Sequence, residues 1–413
     1  MAGARRETLL DHGVATTSEA RPGEQPRQTD ATIIALRPLA GPVFAVLALY
    51  GLFIAARLAL HGGDPSAFVA AGDMFANSAR VPPGLHVLPH SSGYDGQAYY
   101  RLALEPWTSK VLGYGIRLDN PAYRQQRIFY PLLAWLLSFG QPALVPAALI
   151  GVNLLGLGAI AACGAALARL YQRPAWWGVL PALYPGFLVT LALDLSEIIE
   201  PAFLLGGLLL LLHKRHSWAA LCLTLAILTR ETALLVPVAL AMFWVADRLR
   251  RATRQYPARV FAAPVAVYLA WQGLLWSRWH SLPFRGNGGN IGLPLAGFAE
   301  IVHRLAPGTR PADAVWLLEI VALAMVGLGV LAVWRDHRAP AWLRAAWLLY
   351  SLLAACLGAS VWVDDLGFLR ALTDWYLVGT VLLIMGARAK PTVLLCAPTL
   401  ALWVWTWLTM ALL

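Results

Sequence analysis

The sequence predicts an all-α polytopic membrane protein, and three observations predict it. The chain of 413 residues is 59% hydrophobic and only 13% charged, with a mean hydropathy of +0.61, whereas soluble domains run near a quarter charged. Several apolar runs reach the ~20 residues that cross a bilayer as helix. A transmembrane barrel would need ~10-residue segments of alternating hydrophobicity, and these runs do not alternate.

In chain order, residues 1–38 mix Arg, Glu, Pro, Thr and Gln without apolar periodicity and read as a disordered cytoplasmic tail. Leu39–Leu60 is the first span, and no cleavage-like signal ends it. The polar stretch His61–Arg127 is too long for an idle connection, with helical patterns at Pro65–Ala79 and Gln97–Leu104. Ile128–Phe139 is apolar but only about a dozen residues, so it reads as interfacial or re-entrant. Further spans follow at Ala143–Leu170, Ala175–Leu193, Ile198–Leu212, Trp218–Leu228, Ala233–Ala246, Val260–Trp276, Ala314–Val333, Trp342–Val361, Trp375–Met385 and Thr392–Leu412, about eleven in all. A second polar connection covers 277–313.

Charge orients this arrangement. With the N-terminus in the cytoplasm, nineteen of the 32 basic and seven of the 22 acidic residues fall inside, a surplus of +12 against −2 outside. That is the positive-inside bias. It accounts for the net charge of +10 through membrane orientation rather than nucleic acid. If 128–139 crossed, every later loop would invert and the bias would fail. The four cysteines lie in apolar runs without ligand-like spacing and read as small buried side chains.

On this orientation the extracytoplasmic side collects Asp64, Asp73, Asp95 and Asp119, then Asp194, Glu197 and Glu200, then Arg230 and Glu231, then Arg285, Asp364, Asp365, Arg370 and Asp374. Asp194 and Glu197, spaced i and i+3, fall on one face if that segment is helical. Ionisable groups at membrane depth usually face a cavity or a partner. Arginines at such a surface suit the phosphate of a lipid substrate. A carboxylate such as Asp95 suits proton abstraction from a hydroxyl. Tyr94, Gln97, Tyr99 and Tyr100 around it suit a sugar.

The segment Tyr94-Asp95-Gly96-Gln97-Ala98-Tyr99-Tyr100-Arg101, with Arg127-Ile128-Phe129-Tyr130-Pro131-Leu132-Leu133 after it, resembles the first outer loop of the GT-C polytopic glycosyltransferases. It is similar in particular to the PIG-V-type mannosyltransferases and to bacterial proteins of cell-surface glycopolymer formation. Leu228-Thr229-Arg230-Glu231-Thr232 resembles a further hairpin element of that fold. The resemblance implies a GT-C-like domain over 39–412 in a bacterial-type cytoplasmic membrane, with a catalytic extracytoplasmic loop at 61–127. It also implies a polyprenyl-phosphate sugar donor and inverting transfer to a cell-envelope acceptor, with the loop aspartate as base or linked to a divalent cation. Asp95 has no acidic neighbour in its motif, which favours the base.

The expected assignment is therefore Asp95 as the catalytic group. Tyr94, Gln97, Tyr99, Tyr100, Arg124, Arg127, Asp194, Glu197, Arg230, Glu231 and Arg370 are the expected substrate-binding residues. Other readings stay open at this level. Asp95 also stands where an N-cap would, Asp194 and Glu197 where a helix dipole favours acids, and Arg230 could pair with Glu231 or Glu200. His86 and His90 are spaced i, i+4, but Pro82, Pro83 and Pro89 oppose a metal-binding helix. Gly286–Gly292 has neither a preceding strand nor a following Lys-Ser/Thr and reads as a flexible loop. A lipid or glycan transporter, or a non-catalytic scaffold in a glycan assembly complex, is the alternative function.

Overall fold

The computed structural model describes residues 37–252, 255–283, 289–305, 311–363, 365–386 and 396–413. Residues 1–36 of the expected tail, Arg285, 286–288 of the Gly286–Gly292 run, Asp364 and 392–395 of the last expected span lie outside the described residues, and the first helix begins at Arg37, inside the expected tail.

The described chain is mostly helical. Among the described residues, five helices are long and apolar enough to cross a membrane: Pro38–Leu60, Val145–Leu170, Glu231–Leu249, Arg259–Trp279 and Asp313–Ala332. A sixth candidate, Ala175–Ala182 with Pro185–Ala192, is bent by 56° at its break. These helices turn much of their apolar surface outward. Only 22% of the window in the first and 17% of that in Arg259–Trp279 is buried inside the protein. Phe44, Leu52 and Leu269 stand 75%, 61% and 62% exposed. Apolar patches of that extent are stable only against an apolar medium, which marks a membrane protein.

The remaining expected crossings are shorter helices, and the reason is local. The segment Trp342–Val361 is not one helix: α14 (Ala341–Ala355) ends, and α15 (Ala359–Val363) restarts after a break at 356–358. Helices α8 (Ile199–Leu212), α9 (His216–Thr229), α17 (Thr373–Met385) and α18 (Ala397–Leu412) have 13 to 16 residues, about 20–24 Å at 1.5 Å per residue. Three of them begin or end beside Glu197, Arg230 or Arg370. Non-helical backbone in an apolar setting is tolerated where protein buries it, and these helices stop where polar residues cluster.

Helix α5 (Val145–Leu170) is the most enclosed of the long helices, with 56% of its window buried. Its approach to the turn at Ala175–Gly178 depends on missing side chains. A Cβ on Gly164 would lie 2.7 Å from the Gly178 carbonyl oxygen, and one on Gly178 would lie 2.0 Å from the Ala165 nitrogen. Small residues let helices meet backbone to backbone in this way.

The stretch 61–127 folds onto α1 (Arg37–Leu60) and α5 rather than apart from them. Phe68, Tyr99 and Tyr100 are buried in the same core as Tyr50, Phe53 and Tyr130. It contains a short parallel pair, β1 (Ala71–Gly72) with β2 (Val87–Leu88), and an antiparallel pair, β3 (Leu112–Gly113) with β4 (Ile116–Arg117). Helix α2 (Gly96–Leu104) matches the expected Gln97–Leu104 pattern. The expected helix Pro65–Ala79 is instead a single 3-10 turn, Pro65–Phe68, followed by β1. Two polar interactions divert it. Asp64 accepts the Ser66 N–H at 2.8 Å, and Asp73 accepts the His90 and Ser91 N–H groups at 2.8 and 3.0 Å, tying the segment to a later loop.

Helix α3 (Pro121–Gln126) follows, and α4 (Phe129–Ser138) has ten residues, about 15 Å long. It is separate from α5 and far short of a bilayer's ~30 Å apolar core. The expected helical face for Asp194 and Glu197 does not form. Helix α7 (Pro185–Ala192) ends first, Asp194 takes a left-handed conformation with φ of 49°, and α8 begins only at Ile199.

Candidate functional site

Asp95 occupies the N-cap position of α2, yet its side chain makes no capping bond. Both carboxylate oxygens are turned to arginines. Oδ1 accepts from Arg124 Nη1 at 2.5 Å and Oδ2 from Arg370 Nη2 at 3.1 Å. The neighbouring Gly96 permits this position. A Cβ there would lie 2.4 Å from the Leu193 carbonyl oxygen and 2.6 Å from that of Val69. The start of α2 is thereby pressed against the chain that leads into Asp194–Glu197.

From Asp95 a chain of alternating charge extends both ways. Arg124, on α3, donates through Nε and Nη2 to the two oxygens of Asp119 at 2.8 and 2.9 Å. Arg370, near the end of α16 (Asp365–Ala371), donates to Glu197 Oε1 from Nη2 at 2.7 Å and from Nε at 3.1 Å. Its Nη1 donates to the Tyr94 hydroxyl at 3.0 Å, with the guanidinium 5.1 Å from that ring's centre. Arg230 lies 3.9 Å from Glu197 and donates to the Arg370 carbonyl at 2.8 Å. Asp119, Arg124, Asp95, Arg370, Glu197 and Arg230 form one continuous relay.

A second pair lies alongside. Arg127 donates to both oxygens of Glu231, at 3.0 and 2.7 Å, and to the Tyr123 hydroxyl at 3.0 Å. Helix α3 holds Arg124, with Arg127 just past its end, through bonds to α11 (Arg259–Trp279). Trp271 Nε1 donates to the Gln126 carbonyl at 3.2 Å, and Trp279 Nε1 to Gln125 Oε1 at 2.7 Å.

The electrostatics follow from this geometry. Burial works to raise the Asp95 carboxyl, but Arg124, Arg370 and Arg127 outweigh it and hold Asp95 well below the ordinary aspartate range. Burial likewise works to raise Asp119, and its bonds to Arg124 overcome it in the same direction. Asp95 is not sealed off, since 23% of its side chain is exposed. An ionised, partly accessible carboxylate between two guanidiniums can release either cation to an incoming anion.

The other expected residues hold the scaffold. Gln97 accepts the Gly72 N–H at 3.2 Å and donates to the Ser92 carbonyl at 2.8 Å, clasping the loop before α2. Tyr99 is buried, with its hydroxyl 3.0 Å from Ser196 Oγ and its ring edge-on to Tyr130 at 5.3 Å. Tyr100 is buried and reaches the Pro142 carbonyl at 3.5 Å. Asp194 is fully buried, and neither of its carboxylate oxygens has a hydrogen-bond partner among the described residues.

Reading the sequence missed Asp119 and Tyr123 as members of the site. The five-residue spacing of Asp119 and Arg124 spans the Asn120–Pro121 helix start and matches no helical face. It also missed an apolar groove of about 330 Å³, lined by Trp107, Phe129, Leu132, Leu228, Trp271 and Leu274 among others. Its residues border the charged set in sequence: Ile128, which also lines it, follows Arg127, and Leu228 precedes Arg230 by two positions. Among the described residues, no three His, Cys, Asp or Glu side chains gather as metal ligands. Both Asp95 oxygens already bind guanidinium, so this donor set does not fit the divalent cation that the resemblance allows.

No protein-family model matches this sequence, and no curated protein matches it either.

Proposed function

We propose that this protein is a GT-C-like membrane glycosyltransferase with about eleven crossings. It transfers a sugar from a polyprenyl-phosphate donor to a cell-envelope acceptor on the extracytoplasmic face of a bacterial-type cytoplasmic membrane. One observation carries the reading: a partly exposed carboxylate, Asp95, is shared by two arginines, and an apolar groove is lined by Ile128, the residue after Arg127. The groove offers a place for the lipid chain, and Arg124, Arg127 and Arg370 offer donors to its phosphate.

The chemistry then has a definite order. The donor phosphate competes for Arg124 and Arg370, which now neutralise Asp95. As those cations turn to phosphate, Asp95 regains basicity and can accept a proton. The acceptor hydroxyl oxygen bonds to the anomeric carbon from the face opposite the phosphate. The bond from that carbon to the phosphate oxygen breaks, and its electron pair leaves on polyprenyl phosphate. The hydroxyl proton passes to Asp95, and the anomeric configuration inverts. Arginine contacts to the departing phosphate stabilise the charge that develops there.

The test is to incubate membranes carrying the protein with labelled polyprenyl-phosphate sugars. Wild type should form labelled glycan or glycolipid, and Asp95→Asn should insert normally and form none. Full activity in Asp95→Asn would remove Asp95 as the base. Movement of lipid without covalent product would favour a transporter, and function that survives loss of the whole relay would favour a scaffold.

A further inference from the structure

The polar stretch 61–127 concentrates its exposed apolar side chains at one place. Six of its large hydrophobic residues are exposed, and four of them, Trp107, Val111, Leu112 and Tyr114, fall close together in sequence. Strands β3 and β4 form a hairpin here, with Tyr114 and Gly115 at its tip. Both tip residues have positive φ, 52° and 72°, as the favoured two-residue hairpin turns require. Asn, Asp or Gly ordinarily fills the first of these positions, and a bulky side chain there is strained. A tyrosine in that conformation, 44% exposed, is not what a turn in water selects.

The exposure does not come from a loose segment. The Leu118 N–H donates to the Val111 carbonyl at 2.9 Å, the Arg117 N–H to that of Phe75 at 2.9 Å, and the Asn77 N–H to that of Gly115 at 2.8 Å. Ile116 and Leu118 are buried. Fully buried Arg101 donates to Glu105 at 2.8 Å and to Thr108 at 3.0 Å, and its guanidinium lies 5.3 Å from the centre of the Tyr114 ring. The hairpin is fastened to the loop, yet Val111, Leu112 and Tyr114 stay exposed.

Its neighbour indicates what covers it. The Trp107 ring stands edge-on to that of Trp271 in α11, with centres 6.2 Å apart, and the Trp107 carbonyl accepts from Arg278 at 3.3 Å. Trp271 precedes the last residue of α11, Trp279, by two turns, about 12 Å along the helix. Leu269, Leu274 and Trp276 of α11 are exposed, and α11 is the least buried of the five long helices. The apolar surface at the base of the hairpin therefore continues the surface of a helix that needs an apolar medium. The residue types fit the boundary of a bilayer. Trp and Tyr collect at headgroup level, and Lys110 and Arg117, both exposed, are cations that can pair with phosphate there.

We propose that the hairpin segment 107–117 is a membrane-docking element, which seats Val111, Leu112 and Tyr114 among phospholipid headgroups beside the Arg278 end of α11. A lipid surface, and not a second protein, covers this patch. Seated there, the hairpin ties α2, and with it Asp95, to the bilayer through Arg101. The inference rests on exposure and on continuity with α11, and it does not depend on sugar transfer.

The test uses purified full-length protein in phospholipid nanodiscs doped with a lipid that carries a photoactivatable diazirine near its glycerol. Adducts should map to 107–117 and to 267–279 of α11, and not to 83–92, where His86 and His90 are exposed. Hydroxyl radicals generated in the water, with yields scaled to the unfolded chain, should oxidise His86 and His90 and spare Leu112 and Tyr114. The variant Leu112→Asp/Tyr114→Asn puts a charge in the patch and gives the turn a residue it favours. Its adducts on 107–117 should fall several-fold, while those on α11 and the melting temperature stay unchanged. The two wild-type measurements decide the matter if the variant fails to fold. Leu112 and Tyr114 oxidised as readily as the histidines, without lipid adducts, would place the hairpin in water and overturn the proposal. Neither adduct nor oxidation would assign a protein partner instead and overturn it too. So would undiminished adducts in a folded variant, since the apolar tip would then not make the contact.

Discussion

Arg370 donates to Asp95 across 275 residues of sequence, and the same Nη2 atom donates to Glu197. The pairing brings α16 against both the start of α2 and the turn before α8. Its energetic weight lies mainly on the Glu197 side, where the carboxylate is fully buried. Removing one partner of a buried ion pair strands the other and costs about 3–5 kcal/mol. Arg370→Met should therefore lower stability by that order, measured by thermal or denaturant unfolding in detergent. Adding Glu197→Gln to Arg370→Met should recover much of the loss, because the stranded charge is gone. A double variant as unstable as the single one would mean that Arg370 acts through packing.

Asp95 predicts an acid limb. Its folded-state value is held below the ordinary aspartate range of ~4. Folding therefore gains stability from Asp95 above that range and loses it as pH falls toward the depressed folded value. Wild type should lose melting temperature below about pH 4, and Asp95→Asn should lose less over the same interval. Because Asp95 is partly exposed and its partners keep other acceptors, the change at neutral pH should be smaller than that of Arg370→Met. Parallel pH profiles for wild type and Asp95→Asn would show that other acids govern the acid limb.

Much of the site was legible as a list and not as a geometry. The apolar runs and the lone polar loop marked where chemistry could lie, and Asp95, Arg124, Glu197, Arg230 and Arg370 do meet in one relay. Local pattern could not say which acid pairs with which arginine, because those contacts join separate turns and helix ends. The same limit explains Asp194. Its i, i+3 spacing from Glu197 implies a shared face only in a helix, and the chain there is a turn. Gln97 and Tyr100 looked like sugar ligands because of their residue types, yet backbone groups of the loop and of Pro142 use their polar atoms. The expected span Trp342–Val361 fails for a related reason. Hydropathy runs through the break at 356–358, whereas hydrogen bonding does not.

Gly96 sets a steric condition on the position of Asp95. Gly96→Ala would place its Cβ against two carbonyl oxygens, those of Leu193 and Val69, neither of which can swing aside like a side-chain end. Overpacking of this kind costs about 1–3 kcal/mol. The start of α2 should shift away from the 193–197 turn and lengthen the Asp95–Arg370 contact. In the labelled-donor assay, Gly96→Ala should then lose most activity while the ionisable residues remain unchanged. Wild-type activity and melting temperature in Gly96→Ala would show that the backbone relaxes without moving Asp95.

The apolar groove gives a prediction that separates binding from chemistry. Leu132 is half-buried in its wall and is not a member of the ionic relay. If the groove holds the lipid chain, Leu132→Asn replaces an apolar contact by an amide and removes part of the ~1.5–3 kcal/mol that a buried leucine contributes. A loss of about 1.4 kcal/mol corresponds to a tenfold weaker interaction. KM for a long-chain polyprenyl-phosphate donor should therefore rise about tenfold, with kcat nearly unchanged, since the contact is equal in ground and transition states. A short-chain donor that does not reach the groove should be insensitive to the substitution. An equal loss for both donors would move the lipid chain elsewhere on the protein while leaving the Asp95–Arg370 reading untouched.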